Sequence, residues 1–195
     1  MKLSTSSNIV FDRPDGSAVS MERMMRYAKE AGFDTLDISF YDWSLPGSPF
    51  LEDGWRAWID QVAEEKERLG MKFGQCHAYT YNFLDPSLTA EERGRHEELV
   101  LRSIECCYIV GSRLCVTHPD TDYNASRLMA VSEEKNAAYF RQLLEKTASF
   151  EMSLAVENMC DITIRPRRKY GAYPEELVSL AEKINDSRFW DLLGF

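Results

Sequence analysis

The sequence predicts a parallel α/β protein of the (β/α)-barrel type, and three observations carry that reading. A short apolar run followed by a helical pattern recurs along the whole chain, as in successive βαβ units. The apolar runs begin near residues 3, 35, 71, 113, 153 and 188, a period of about 32 to 42 residues that suits barrel units with functional loops. The composition is that of one sizeable core, with 195 residues of which 44% are hydrophobic.

The first strand is expected within Leu3 to Phe11, a Ser-rich and weakly patterned stretch. Ser20 is a candidate N-cap, Met21, Met24, Met25, Ala28 and Ala31 share one helical face, and Gly32 is the expected stop. Thr35 to Phe40 alternates with period two, so Leu36, Ile38 and Phe40 line one face of a strand and Thr35, Asp37 and Ser39 the other. A helix from Asp53 to Leu69, with Trp55, Ile59, Val62 and Leu69 as its apolar stripe and Gly70 as its stop, leads to a third strand over Met71 to Ala78. Thr89 and Glu92 have the spacing of a capping box, which opens a helix with Val100, Ile104, Cys107 and Tyr108 facing inward. Arg113 to His118 and Ser153 to Asn158 read as strands four and five, with a helix between them that Ser132 could cap. Pro174 at a first helical position, followed by Glu175 and Glu176, starts the last helix, and Ser187 to Phe195 reads as the start of a sixth strand.

An eight-stranded barrel takes roughly 250 residues. The expectation is therefore a single domain over residues 1–195, incomplete with about six of eight strands and lacking the last ones. The sheet would then close by another route, such as an open doubly wound arrangement or pairing with a second copy of the chain through its open side.

Charge and cysteine usage exclude several classes. Thirty-two acidic residues against 23 basic ones give a net charge of −9, which disfavours nucleic acid and anionic membranes as partners. The N-terminus lacks an apolar stretch of signal-peptide length, and no run of roughly 18 apolar residues occurs, so a cytoplasmic protein with no membrane partner is expected. The five cysteines show no Cys-x-x-Cys spacing and read as reduced thiols, with Cys76 and Cys115 facing the helices.

Parallel α/β folds place their chemistry at the C-terminal ends of strands. His77, His118 and Glu157 end strands three, four and five, and imidazole with carboxylate is a ligand set for zinc, manganese or a related divalent cation. His96, mid-helix among charged neighbours, is expected to face solvent. Arg165, Arg167, Arg168 and Lys169 form a basic run after Glu157 that could hold a substrate anion or be a solvated loop. Tyr41, Trp43, Phe50, Tyr79, Tyr81 and Phe83 gather after strands two and three, where rings stack on sugar faces or build a hydrophobic cluster under loops.

The segments Ala31-Gly-Phe-Asp-Thr-Leu-Asp-Ile-Ser-Phe40, Gly74-Gln-Cys-His-Ala78, Leu114-Cys-Val-Thr-His-Pro119 and Leu154-Ala-Val-Glu-Asn-Met159 carry a resemblance. In order and spacing they resemble strands two to five of the sugar phosphate isomerase/epimerase group of xylose isomerase-like TIM barrels, a superfamily that includes endonuclease IV. The resemblance implies a divalent metal (Mn, Zn, Mg or Co), a small carbohydrate substrate and proton transfer next to a carbonyl. It implies Glu157 as catalytic residue and metal ligand, His118 and Asp191 as further ligands, and His77, His118 and Arg168 as substrate-side residues. Trp190-Asp191 stands where the family carries a Trp-Asp-Thr-Gly-His type motif, and here Leu192-Leu193-Gly194-Phe195 follows instead. The rival reading is an inactive incomplete barrel or binding module. Endonuclease-like DNA repair conflicts with the negative charge.

Overall fold

In the computed structural model, residues 4–7, 17–160 and 168–191 are described. The chain divides into two compact units, residues 1–79 with 99–115 and residues 80–98 with 116–195. The strands are β1 (Ser4–Ser6), β2 (Thr35–Ser39), β3 (Lys72–His77), β4 (Leu114–Thr117), β5 (Ser153–Val156) and β6 (Phe189–Asp191), and their order in the sheet is that of the chain. The anticipated first strand beyond Ser7 lies outside the described residues. No described helix is long and apolar enough to cross a membrane.

In the first unit, β1 and β3 both run parallel to β2, with Ser6 opposite Asp37 and His77 opposite Ser39. The register slips between Leu36 and Asp37, where Gly74 is the extra residue of β3. A β-carbon on Gly74 would stand 3.0 Å from Thr35 Cγ2, so a side chain at the bulge would have to push Thr35 aside. The bulge also resets the face of the strand. Phe73 and Cys76, three apart, are both buried, and Gln75 and His77 then fall beside Asp37 and Ser39.

Helix α1 (Met21–Glu30) starts where expected: Ser20 is extended and its Oγ accepts from the Arg23 amide at 3.3 Å. Met21, Met24 and Met25 bury its apolar face, and Gly32 follows with φ +92°. Helix α2 (Trp55–Leu69) buries Trp58, Ile59 and Val62, whereas Trp55 is only half-buried. Trp58 packs tilted against Trp43 at 5.4 Å between centroids, and Phe50 against Phe40 at 5.2 Å, so the loop after β2 is sealed by rings.

Helix α3 (Ala90–Ile109) passes from one unit into the other. Its capping box is formed, with the Thr89 amide donating to Glu92 Oε2 at 2.8 Å and the Glu92 amide to Thr89 Oγ1 at 3.2 Å. Val100, Ile104 and Cys107 face inward as the periodicity requires. Tyr108 does not: it is 39% exposed, with the Arg113 guanidinium 4.7 Å above its ring.

In the second unit, α4 (Leu128–Lys146) begins before Ser132, which is not its cap. Ser132 is buried inside the helix and its Oγ accepts from the Asp122 amide at 2.9 Å, a bond between distant residues that no local pattern announces. Phe140, Leu143 and Leu144 bury the apolar stripe of α4, each contributing about 1.5–3 kcal/mol on transfer from water. Helix α5 (Pro174–Ile184) has Pro174 in its first turn and buries Leu177, Leu180 and Ile184. β5 and β6 are parallel, with Ala155 opposite Trp190 and Val156 opposite Asp191.

Candidate metal and substrate site

Glu157 is the first residue after β5, and its amide donates to the Thr117 carbonyl at 2.9 Å. That bond joins the last residue of β4 to the first residue past β5 and sets Glu157 beside His118. Their side chains meet with Nε2 of His118 3.7 Å from Oε2 of Glu157. Two ligands at about 2.1 Å from one ion can stand up to about 4.2 Å apart, so the spacing suits a shared cation. The two side chains are 27% and 45% exposed, open to a ligand arriving from solvent.

His77 ends β3 in the first unit, half-buried. Its Nδ1 lies 2.9 Å from the Ala78 carbonyl oxygen. A carbonyl only accepts, so Nδ1 carries the proton and the lone pair of the neutral ring is on Nε2. Such a backbone bond is how ligating histidines are held in one tautomer. The ladder beside His77 is polar as well. Gln75 donates from Nε2 to Asp37 Oδ2 at 3.1 Å, and the Ser39 amide donates to Ser7 Oγ at 3.2 Å. Burial raises the Asp37 carboxyl above its usual range despite the Gln75 bond. The sequence singled out neither Asp37 nor Gln75, although Asp37 shares a period-two face with Ser39 and Gln75 with His77.

The loops after β4 and β5 are tied together. Tyr170 donates its amide to Thr121 Oγ1 at 2.8 Å, and the Met159 amide donates to the Gly171 carbonyl at 2.9 Å. Gly171 has φ +79°, and a β-carbon there would stand 2.5 Å from Pro119 Cγ. Only glycine meets both conditions. Asp120, half-buried two residues after His118, accepts from the Phe83 amide at 2.8 Å, and Asn136 holds its backbone from both sides, accepting from its amide at 2.9 Å and donating to its carbonyl at 2.7 Å. Desolvation lifts the Asp120 carboxyl to about 7, opposed by the Phe83 amide and by Lys169.

Arg168 grips Glu176 with both terminal nitrogens, at 2.8 and 2.6 Å, and its guanidinium stacks over Tyr173 at 4.3 Å. Glu176 also accepts from the Gly171 amide at 3.0 Å, so the pair braces the loop after β5. Arg165 and Arg167 lie outside the described residues. So does the side chain of Asp191, whose backbone pairs with Val156, next to Glu157. Among the aromatic residues, Trp43, Phe50 and Phe83 are buried, with Phe83 stacked on Tyr139 at 3.8 Å, and Tyr81 donates to Glu97 at 2.5 Å. Tyr41 is 56% exposed. His96, expected in solvent, is half-buried and stacked on Tyr81 at 4.6 Å.

No curated protein matches the sequence. Solved structures do. A D-tagatose 3-epimerase-like protein, 21% identical, superposes with a TM-score of 0.69 over 98% of this chain and 65% of its own. The 3-keto-D-glucoside 4-epimerase of E. coli gives 0.71 at 14% identity, over 98% of this chain and 67% of its own. A D-psicose 3-epimerase structure determined with D-fructose gives 0.69 at 11% identity, over 98% of this chain and 62% of its own. The chain thus spans 65% of the length of the first of these, and at such identities the likeness is one of fold. The family model described as xylose isomerase-like TIM barrel matches residues 25–192. With parallel strands in chain order, a helix after each of β1 to β5 and that match over most of its length, the chain belongs to the xylose isomerase-like TIM barrel family.

Proposed function

We propose that this is a cytoplasmic sugar isomerase- or epimerase-like protein that uses a divalent metal to assist proton transfer next to the carbonyl of a small carbohydrate. The observation that carries the reading is the His118–Glu157 pair at 3.7 Å, placed by the Glu157 amide bond to Thr117. His77 joins the pair in this proposal: with His118 and Glu157 it makes a set of three side chains, each able to give one ligand atom of a kind that suits zinc, manganese, cobalt or magnesium. Asp191 is proposed as a further ligand. The bound cation would polarise a substrate oxygen and so stabilise the charge that develops beside it.

The chain's own residues have distinct parts. Glu157 holds or moves the proton on the carbon next to the carbonyl, as a carboxylate at half exposure can. His77, fixed in the Nε2 lone-pair tautomer, and His118 orient substrate oxygens. Arg168 reaches a substrate anion only by exchanging its Glu176 partner, so we assign it a second, loop-bracing part. The names of the neighbouring structures, epimerases of D-tagatose type and D-psicose, support a ketose as the substrate class.

The test is metal content after purification from manganese- and zinc-supplemented medium, together with deuterium uptake from solvent into added ketoses. Near-stoichiometric metal, lost in Glu157→Ala and His118→Ala, and ketose C–H exchange that disappears with it are the expected results. Metal retention without exchange for any ketose would favour the rival reading, a binding module without turnover. No metal at all in a folded chain would end the proposal. Self-association is part of the same reading, and sedimentation at micromolar concentration checks it.

A further inference from the structure

The second unit holds a cavity that the proposed reaction does not use. It lies between α4 and the part of α3 that belongs to this unit, and it encloses about 410 Å³, within the roughly 300–1,000 Å³ of small-molecule sites. Helix α4 builds one wall from a stripe beside its core-facing one, where Lys135, Ala138, Tyr139, Gln142 and Lys146 recur at helical spacing. Much of the lining is apolar. Phe83, 8% exposed, stacks on Tyr139 with 3.8 Å between centroids, and Leu143, also buried, borders the same space.

Four lining side chains carry charge, and they do not balance. Arg93 gives its terminal nitrogens to the carbonyls of Phe83 and Asp85, at 2.5 and 3.1 Å, neutral acceptors that fix the guanidinium without cancelling its charge. Lys135 and Lys146 are 50% and 47% exposed. Against these three cations stands one carboxylate, Glu97, which already accepts from the Tyr81 hydroxyl at 2.5 Å. Counting Asp122, which lies outside the lining and holds Lys135 at 2.6 Å, the cations still outnumber the anions. The chain as a whole carries −9, so this positive excess is a local exception.

We propose that the cavity binds a small organic carboxylate with an apolar, ring-sized body. The body lies against Phe83, Tyr139 and Leu143. The carboxylate is taken by Lys146, which reaches Glu97 at only 3.4 Å and is the more loosely paired of the two lysines. When Lys146 turns to the ligand, Glu97 keeps its bond from Tyr81. Gln142, one turn earlier on the same face and exposed, offers its amide to the second carboxylate oxygen. Charge selects the class. A cationic ligand would meet three like charges, and a long polyanion would be repelled by the rest of the chain. A small monoanion feels mainly the groups within a Debye length, about 8–10 Å, which are those of the cavity.

The test is a titration of the full isotope-labelled chain with phenylacetate, read by amide chemical shifts, with phenylacetamide as the uncharged probe of the same shape. Shifts centred on residues 139–146 should saturate with a Kd of about 1 mM, the scale for a ligand of about ten heavy atoms. Phenylacetamide should bind about fivefold more weakly. Lys146→Gln should weaken phenylacetate by that same factor and leave phenylacetamide unchanged, because both changes remove one interaction. Where Lys146→Gln fails to fold by circular dichroism, Ala138→Trp carries the reading: it puts a ring into the cavity from an exposed position and should abolish binding of both probes. Glu157→Ala should bind phenylacetate as the unaltered chain does, which separates this cavity from the proposed metal site. Equal affinity for acid and amide would overturn the proposal, as would phenylacetate binding that is unchanged in Lys146→Gln or lost in Glu157→Ala. So would the absence of saturation at about ten times the expected Kd. Shifts that follow protein concentration rather than added acid would mean that a second copy covers the cavity, and would overturn it as well.

Discussion

The loop that follows β2 is held by rings, with Trp43 and Phe50 at 1% and 0% exposure, whereas the loop that follows β4 is held by buried polar groups, Thr121 and Asp122 in the loop with Ser132 and Asn136 of α4 behind them. Both loops start at the C-terminal end of a strand, and only the second carries a residue of the proposed metal pair. Rings bury area without fixing direction, so they seal a loop. Hydrogen bonds fix direction, so they can aim a side chain such as His118. The difference teaches that, in the second unit, positional accuracy comes from polar contacts between residues far apart in sequence.

Truncation in each loop probes that contrast, starting with the largest effect. Phe50→Ala should cost about 3–5 kcal/mol in urea-induced unfolding, with little change in metal affinity if the first loop only seals. Asn136→Ala takes their side-chain partner from the Asp120 amide and the Asp120 carbonyl, at about 1–3 kcal/mol per group. Water entering the loop should keep the total below that of Phe50→Ala, but amide exchange at Asp120 should rise and metal retention at the proposed site should fall. Equal metal retention in the two variants would break the contrast. Thr89→Ala, at the capping box of α3, should cost about 1 kcal/mol and leave both loops unchanged, a baseline for a purely local contact.

The smallest expected effect is electrostatic and belongs to the first unit. Arg68 and Arg26 hold the Glu65 carboxyl at about 2, against an ordinary 4.5. A carboxyl with a lowered folded-state pKa stabilises the fold above its unfolded value, and that contribution is lost as pH falls from about 4.5 towards 2. Melting temperatures of Glu65→Gln measured across this window should decline less steeply than those of the unaltered chain.

The same contrast explains what the sequence made legible. The six strands, the caps at Ser20 and Thr89 and the stops at Gly32 and Gly70 are local signals, readable within a turn or two. His77, His118 and Glu157 were readable as strand ends, because each closes a short apolar run. The polar supports were not. Ser132 looked like a cap because Ser before an apolar helical stripe usually is one, and its partner, the Asp122 amide, is ten residues away. Asn136 gave no signal, since a mid-helix Asn looks like any polar surface residue until Asp120 is placed beside it. Tyr108 fell on the edge of the inward stripe, where Arg113 drew it to the surface. Gln75 gave no signal of its own, since its partner Asp37 is 38 residues away.

Gly171 sets a limit on how this protein can be varied. Tyr173, two residues on, is 46% exposed, and Lys169 is half-buried, so a randomised library should find many acceptable residues at either. At position 171 the tolerated alphabet shrinks to one letter, because a left-handed backbone disfavours every other residue and the Pro119 ring occupies the space that a methyl group would need. A selection for function would therefore show one fixed column inside a permissive stretch. A second-site change at Pro119 that allowed alanine at position 171 would show that the ring, rather than the backbone angle, is what fixes it.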